Sequence, residues 1–144
     1  MAWRGKNPFF QSNTPAAIAK RTYKGIKYDS LAELARYRDH LEPLLQFGHI
    51  KDYQHQPRFY LDFLGHRYGF YTSDFQYSLP DGTMVIEEIK GKKENREFSL
   101  KWKIVQVLYP QYKWVFLRSQ QRGIKFTFTV VKRVAAKLKS VRCQ

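Results

Sequence analysis

Asp74, Glu88 and Lys90 have the residue types and the spacing for metal-assisted chemistry. Two carboxylates held side by side repel one another unless a cation lies between them. A site rich in oxygen suits Mg2+ or Mn2+, which take carboxylates, a carbonyl and water. The backbone carbonyl of Ile89, between Glu88 and Lys90, would complete such a donor set. A metal held there would polarise a scissile phosphate and lower the pKa of an attacking water. Lys90 would position that water or offset charge building on the phosphoryl oxygens.

For this the two carboxylates must meet, and residues 70–91, FYTSDFQYSLPDGTMVIEEIKG, supply the means. They read as two strands joined at Leu79-Pro80-Asp81-Gly82-Thr83. Pro80 presets φ at the first turn position, Asp81 suits the second, and Gly82 accepts the left-handed conformation. This is the chemistry of a three-residue hairpin loop, a type I turn followed by a glycine bulge. Such a loop pairs Leu79 with Thr83 and, counting back, brings Asp74 opposite Glu88, with Cβ atoms about 4.5–5.5 Å apart. Alternation puts Glu88 and Lys90 on one face and Ile89 on the other. A two-residue loop would slip the register and separate the carboxylates. Glu87 faces away from Glu88 and has no lysine two residues on, so it reads as structural.

At 144 residues the chain is expected to form one domain with a real core, and a hydrophobic content of 43% argues against disorder. No apolar run is long enough to cross a membrane, and the N-terminus lacks the apolar core of a signal peptide. Cys143 is the only cysteine, which excludes an intramolecular disulfide and a cysteine zinc site and points to an intracellular protein. The net charge of +14 is uneven: residues 1–90 carry +2 and residues 91–144 carry +12. A basic, aromatic-rich domain favours a polyanion partner over a membrane.

The elements around the hairpin follow from local signals. Residues 1–21 read as a flexible basic arm, and Thr22–Tyr28 as a short hairpin or extended entry turning at Gly25. Ser30 and Glu33 form a capping box that opens a helix over residues 30–47, which Pro43 kinks or ends. Residues 50–57 read as a connector, 58–64 as a strand, Gly65-His66 as a turn, and residues from 67 as the next strand. A helix over 98–108 follows a charged loop at 92–97. A strand at 112–118, a turn at 119–123, an alternating strand at 124–130 and a basic helix marked by Val134, Leu138 and Val141 complete the chain. The expected fold class is α/β, a mixed α+β sheet with helices packed on it, in a single domain over 22–144.

The pattern Asp74…Glu88-Ile89-Lys90 resembles the D…(D/E)-x-K signature of the PD-(D/E)xK nuclease superfamily. The predicted order of helix, three strands, helix and strand is similar to that superfamily's core, here with an added C-terminal strand and helix. With KYDSLAE, QHQPRF and EEIKGKK, residues 22–118 resemble small phage-encoded endonucleases. They are also similar to transposon end-cleaving subunits and, more loosely, to Holliday junction resolvases. The resemblance implies an Mg2+- or Mn2+-dependent endodeoxyribonuclease, encoded by a phage or mobile element and acting inside a host cell. Its substrate would be DNA, with branched or junction DNA the first candidate, and a homodimer would supply two active sites. Glu33 matches the first-helix glutamate of many members, which makes it either a metal ligand or only a helix cap. Ser73 stands where the signature commonly has proline. Pro80-Asp81 is a decoy, because turn chemistry accounts for both residues.

Gln56 reads either as a residue that supports the ligands or orients water, or as an amide that satisfies backbone. His40, His49, His55 and His66 share no ligand spacing and read as surface or packing residues. Lys92, Lys93, Arg96, Lys101 and Lys103 follow the proposed centre and are candidate phosphate contacts, against the alternative of ordinary solvated side chains. The competing reading of the whole is a non-catalytic nucleic-acid-binding protein on the same fold. An RNA-binding protein and an anionic-lipid binder acting through the last helix are further alternatives.

Overall fold

The computed structural model describes residues 13–91 and 94–131. Lys92, Lys93, the first twelve residues of the expected arm and the expected C-terminal helix around Val134, Leu138 and Val141 lie outside the described residues. In chain order the elements are α1 (Pro15–Lys20), β1 (Thr22–Tyr23), β2 (Ile26–Lys27) and α2 (Leu31–Arg36), then a π turn (Tyr37–Leu41) and α3 (Glu42–Gln46). There follow β3 (Lys51–His55), β4 (Arg58–Phe63), β5 (His66–Thr72), β6 (Phe75–Ser78), β7 (Met84–Lys90), α4 (Arg96–Leu108), β8 (Lys113–Arg122) and β9 (Lys125–Val130).

These elements make a mixed α+β fold. Five strands form one sheet in the order β3-β6-β7-β8-β9, with β7 and β8 parallel and the other pairs antiparallel. β7 is the middle strand and is buried on both faces. Val85 and Ile89 pack with Tyr28, Leu34, Leu41 and Phe75 beneath α2 and the π turn. Ile86, on the opposite face, packs with Phe59, Leu61, Trp102, Val105 and Phe116 beneath α4 and the β4–β5 ribbon. The parallel step from β7 to β8 requires a crossover, and α4 supplies it.

The Pro80-Asp81-Gly82 loop forms as its sequence dictates. The Gly82 amide donates to the Leu79 carbonyl at 2.9 Å, and the Leu79 amide to the Thr83 carbonyl at 2.8 Å. Gly82 takes φ 87°, where a Cβ would be strained. The ladder runs from Ser78–Met84 to Phe75–Glu87 in the expected register but ends there, so the expected pairing of Asp74 opposite Glu88 does not form because the chain leaves the sheet before it.

Four local expectations need correction. The helix over 30–47 is interrupted. Pro43 has no amide to donate and its ring would strike the carbonyl of Asp39, so the chain widens into a π turn. The Glu42 amide accordingly donates to the Tyr37 carbonyl. The connector at 50–57 contains β3, an edge strand with a bulge where Asp52 takes φ 54°. The turn at 119–123 lies later, because β8 continues through Arg122 and reverses at Gly123. In place of the C-terminal part of the arm stands α1, capped by the Thr14 hydroxyl. Arg21, which follows it, is buried and donates to the Tyr28 carbonyl at 3.1 Å.

Candidate active site

The site forms where β6 stops and β7 continues. After the last pairing, Phe75–Glu87, the chain bends away from the sheet. The bend is fixed by Ser73 donating to the Pro57 carbonyl at 3.0 Å, Asp74 to the Glu87 carbonyl at 3.2 Å and Gln56 to the Asp74 carbonyl at 2.9 Å, all through backbone amides. Ile89 therefore lacks a backbone partner on that edge, and the Asp74 carboxylate takes the place of one. Its Oδ2 accepts from the Ile89 amide at 2.7 Å. In an extended strand the amide and carbonyl of one residue point to the same side. The Ile89 carbonyl is thus turned toward the edge that carries Asp74.

Glu88 is 2% exposed and held from three sides. Lys90 Nζ lies 2.8 Å from Glu88 Oε1, and the Tyr71 hydroxyl donates to Oε2. Ser73 Oγ, which donates to the Glu87 carbonyl at 2.7 Å, stands 3.4 Å from Oε2. The Lys90 ammonium also lies 4.9 Å from the centre of the Phe98 ring, a cation–π contact that fixes its position.

Glu33 approaches from α2. The Ser30 hydroxyl caps the helix by accepting from the Glu33 amide at 3.0 Å. The Glu33 carboxylate reaches past Ser30 and accepts from the Asp29 amide at 3.3 Å, one residue earlier than a standard capping box. Gln56 Nε2 donates to Asp29 Oδ2 at 2.8 Å, so Gln56 braces the segment that holds Glu33.

Burial, followed by the charges of Glu88 and Glu33, holds Asp74 well above the usual carboxylate range. Burial also raises Glu88, against the opposing pull of Lys90 and Tyr71. Burial lifts Glu33 to about 7, with Asp29 and Glu88 adding to the effect. Burial opposes the charge on Lys90, but Glu88, Asp74 and Glu33 outweigh it and raise its pKa. Three carboxylates that feel one another therefore share a single lysine, a surplus of negative charge that a divalent cation would relieve. Among the described residues no three acidic, histidine or cysteine side chains converge closely enough to enclose an ion by themselves. Mg2+ does not require that, since it is commonly held by one or two carboxylates and keeps several waters. Asp74, Glu88 and the Ile89 carbonyl fit such a donor set, with Glu33 in their electrostatic neighbourhood.

The raised Glu33 pKa has a measurable consequence. The folded chain holds this proton more tightly than the unfolded one, so the associated stability is present below about pH 4.5 and lost as pH rises through about 7. Glu33→Gln keeps an acceptor for the Asp29 amide and removes the charge. The variant should match the wild type near pH 4 in metal-free urea unfolding and exceed it by about 3 kcal/mol at pH 8. A difference that does not vary with pH would refute this electrostatic picture.

The other candidates are distributed as follows. Glu87 faces away from Glu88 and is buried in a bidentate pair with Arg36, at 2.6 and 2.9 Å, while the Tyr77 hydroxyl donates to it at 2.6 Å. His55 is half-buried against the core residues Tyr28 and Phe75, and burial lowers its pKa. His40 packs edge-on against Phe128, His49 lies beside Phe47, and His66 is in the β4–β5 ribbon. Arg96 opens α4. Lys101 is paired with Glu97 at 3.0 Å and Lys103 is exposed on the same helix. Sequence reasoning missed Tyr71 and Ser73. Ser73 is adjacent to Asp74, but nothing in the sequence distinguishes Tyr71 from the other nine tyrosines.

Residues 16–127 match the model of a family described as a protein of unknown function. No curated protein and no solved structure matches the chain. Among the described residues no helix is long and apolar enough to cross a membrane.

Proposed function

The chain belongs to the DUF1064 family, and we propose that it is a metal-dependent endodeoxyribonuclease with a PD-(D/E)xK-like core. The observation that carries this reading is that half-buried Asp74 feels the charges of buried Glu88 and Glu33 at the edge where β6 ends, with Lys90 paired to Glu88. Neighbouring carboxylates whose pKa values are raised by burial and by nearby like charge are candidates for a functional site. The crossover from β7 through α4 to β8 also fits the strand–helix–strand part of that core.

Asp74, Glu88 and the Ile89 carbonyl would hold Mg2+ or Mn2+, with Glu33 beside them. The ion would polarise the scissile phosphate and lower the pKa of a bound water. Tyr71 and Ser73 fix the orientation of Glu88. Lys90, held by Glu88 and the Phe98 ring, presents an ammonium that orients the attacking water or offsets charge on the phosphoryl oxygens. Asp74 keeps one oxygen on the Ile89 amide, which locks its other oxygen in place. The net charge of +14 would draw the DNA backbone to the domain.

The test is cleavage of plasmid and branched DNA by the full chain, with Mg2+ and with EDTA, against Glu88→Gln. Cleavage that requires Mg2+ and is lost in the variant, with DNA binding retained, supports the reading. Cleavage undiminished by Glu88→Gln would remove the site assignment. The second reading is a non-catalytic nucleic-acid-binding protein, favoured by the ion pair that already offsets the Glu88 charge. DNA binding without any metal-dependent cleavage would select it.

A further inference from the structure

The β4–β5 ribbon stands apart from the main sheet, and its two faces differ in chemistry. Phe59, Leu61 and Tyr71 face inward and pack against α4 and the sheet. The opposite face leaves Tyr60 and Phe70 exposed at 41% and 44%, directly paired across the two strands. Each ring is covered by an arginine: Arg67 Cζ lies 3.9 Å from the centre of Tyr60, and Arg58 Cζ 4.1 Å from the centre of Phe70. At those distances each guanidinium lies over a ring face rather than at its edge. Asp62 grips Arg67 through two bonds, at 2.8 and 2.9 Å, and so fixes its plane. Two planar cations are thus held ready on aromatic supports, in a protein of strongly positive charge.

We infer that this outer face binds single-stranded DNA by stacking unpaired bases on the Arg58–Phe70 and Arg67–Tyr60 pairs. Aromatic rings and guanidinium planes are the groups on which unpaired bases stack; Arg58 also attracts phosphate, while Asp62 offsets the charge of Arg67 and keeps its plane for stacking. Charge complementarity favours this occupant over a cationic or neutral protein surface. The ribbon leads directly to the candidate site, since Arg58 pairs with Thr72, two residues before Asp74. The inference deepens the nuclease reading by making the substrate a DNA with an unpaired segment, such as a fork, flap or junction, and it rests on that reading only for what is cut.

Binding can be measured without cleavage. Fluorescence anisotropy of the full chain in EDTA would compare an oligothymidylate with an abasic strand of the same length, which has the same phosphates and no bases. Stacking predicts tighter binding of the oligothymidylate by about tenfold or more. In a Tyr60→Ala/Phe70→Ala variant that preference should collapse. Equal affinity of the wild type for the two strands overturns the inference without requiring any variant. A preference retained in a folded double variant, checked by its thermal melt, overturns it as well. Neither result depends on Mg2+, so a failed stacking site and a failed nuclease assignment remain distinguishable.

Discussion

Asp74→Asn should lose Mg2+-dependent DNA cleavage by about a thousandfold, the ~4 kcal/mol expected when one charge that stabilises a transition state is removed. The same variant should melt at a higher temperature than the wild type at pH 8 without metal. Asparagine still offers an oxygen to the Ile89 amide, so the edge contact survives. It also relieves the burial and repulsion that hold Asp74 well above the usual carboxylate range. A gain in stability with a loss of activity distinguishes a functional carboxylate from a structural one, because a structural role predicts losses in both. Thermal melts and a plasmid-nicking time course on the same preparation provide the test. A variant that is both less stable and fully active would contradict the assignment.

The second large effect concerns stability alone. Arg36→Ala should destabilise the fold by about 3–5 kcal/mol, because it strands the Glu87 charge in the core. Glu87 is 1% exposed, and among the described residues it keeps only the Tyr77 hydroxyl once Arg36 is removed. Replacing both partners by apolar residues, as in Arg36→Met/Glu87→Leu, should recover most of that loss, since the cost lies in the unpaired charge rather than in the missing bond. Urea unfolding of the two variants decides the point. A double variant no more stable than Arg36→Ala would show that Glu87 is needed for more than neutralising Arg36.

Whatever was set by chemistry within a few residues could be read from the sequence. Pro80, Asp81 and Gly82 dictate their own loop, and the loop dictates the pairing of Phe75 with Glu87. Ser30 caps its helix for similarly local reasons. What escaped was set by partners distant in sequence. β3 carries Lys51, Asp52, Gln54 and His55, with no apolar repeat to mark it, because as an edge strand it buries little and is held by β6. Ser119 through Arg122 look like a polar turn and become strand only because β9 pairs with them. Pro43 signals an interruption, but whether the helix ends or widens depends on the packing of Leu41 beneath it. The separation of β4–β5 from the main sheet has no local signature at all.

The site divides along the same line. Glu88 and Lys90 follow from the alternation of β7, but Asp74 lies beyond the last ladder pair and is placed by the bend and by its bond to the Ile89 amide. Glu33 joins them from a helix on the other side of the sheet, and its local role as a cap conceals the longer reach of its carboxylate. Tyr71 reaches Glu88 through tertiary packing alone.

The Tyr71 hydroxyl ties a peripheral ribbon to a buried proton. Its bond to Glu88 favours the ionised carboxylate, so docking of the β4–β5 ribbon and deprotonation of Glu88 belong to one linked equilibrium. Linkage is reciprocal: docking the ribbon buries Glu88, which raises its pKa, and supplies the Tyr71 bond, which lowers it, and protonation of Glu88 shifts ribbon docking by the same net free energy. Amide protection at Leu61 and Tyr71, corrected for the intrinsic slowing of exchange in acid, should therefore change with pH separately from global unfolding. Exchange at those amides that merely follows the global rate would show the ribbon and the carboxylate to be uncoupled.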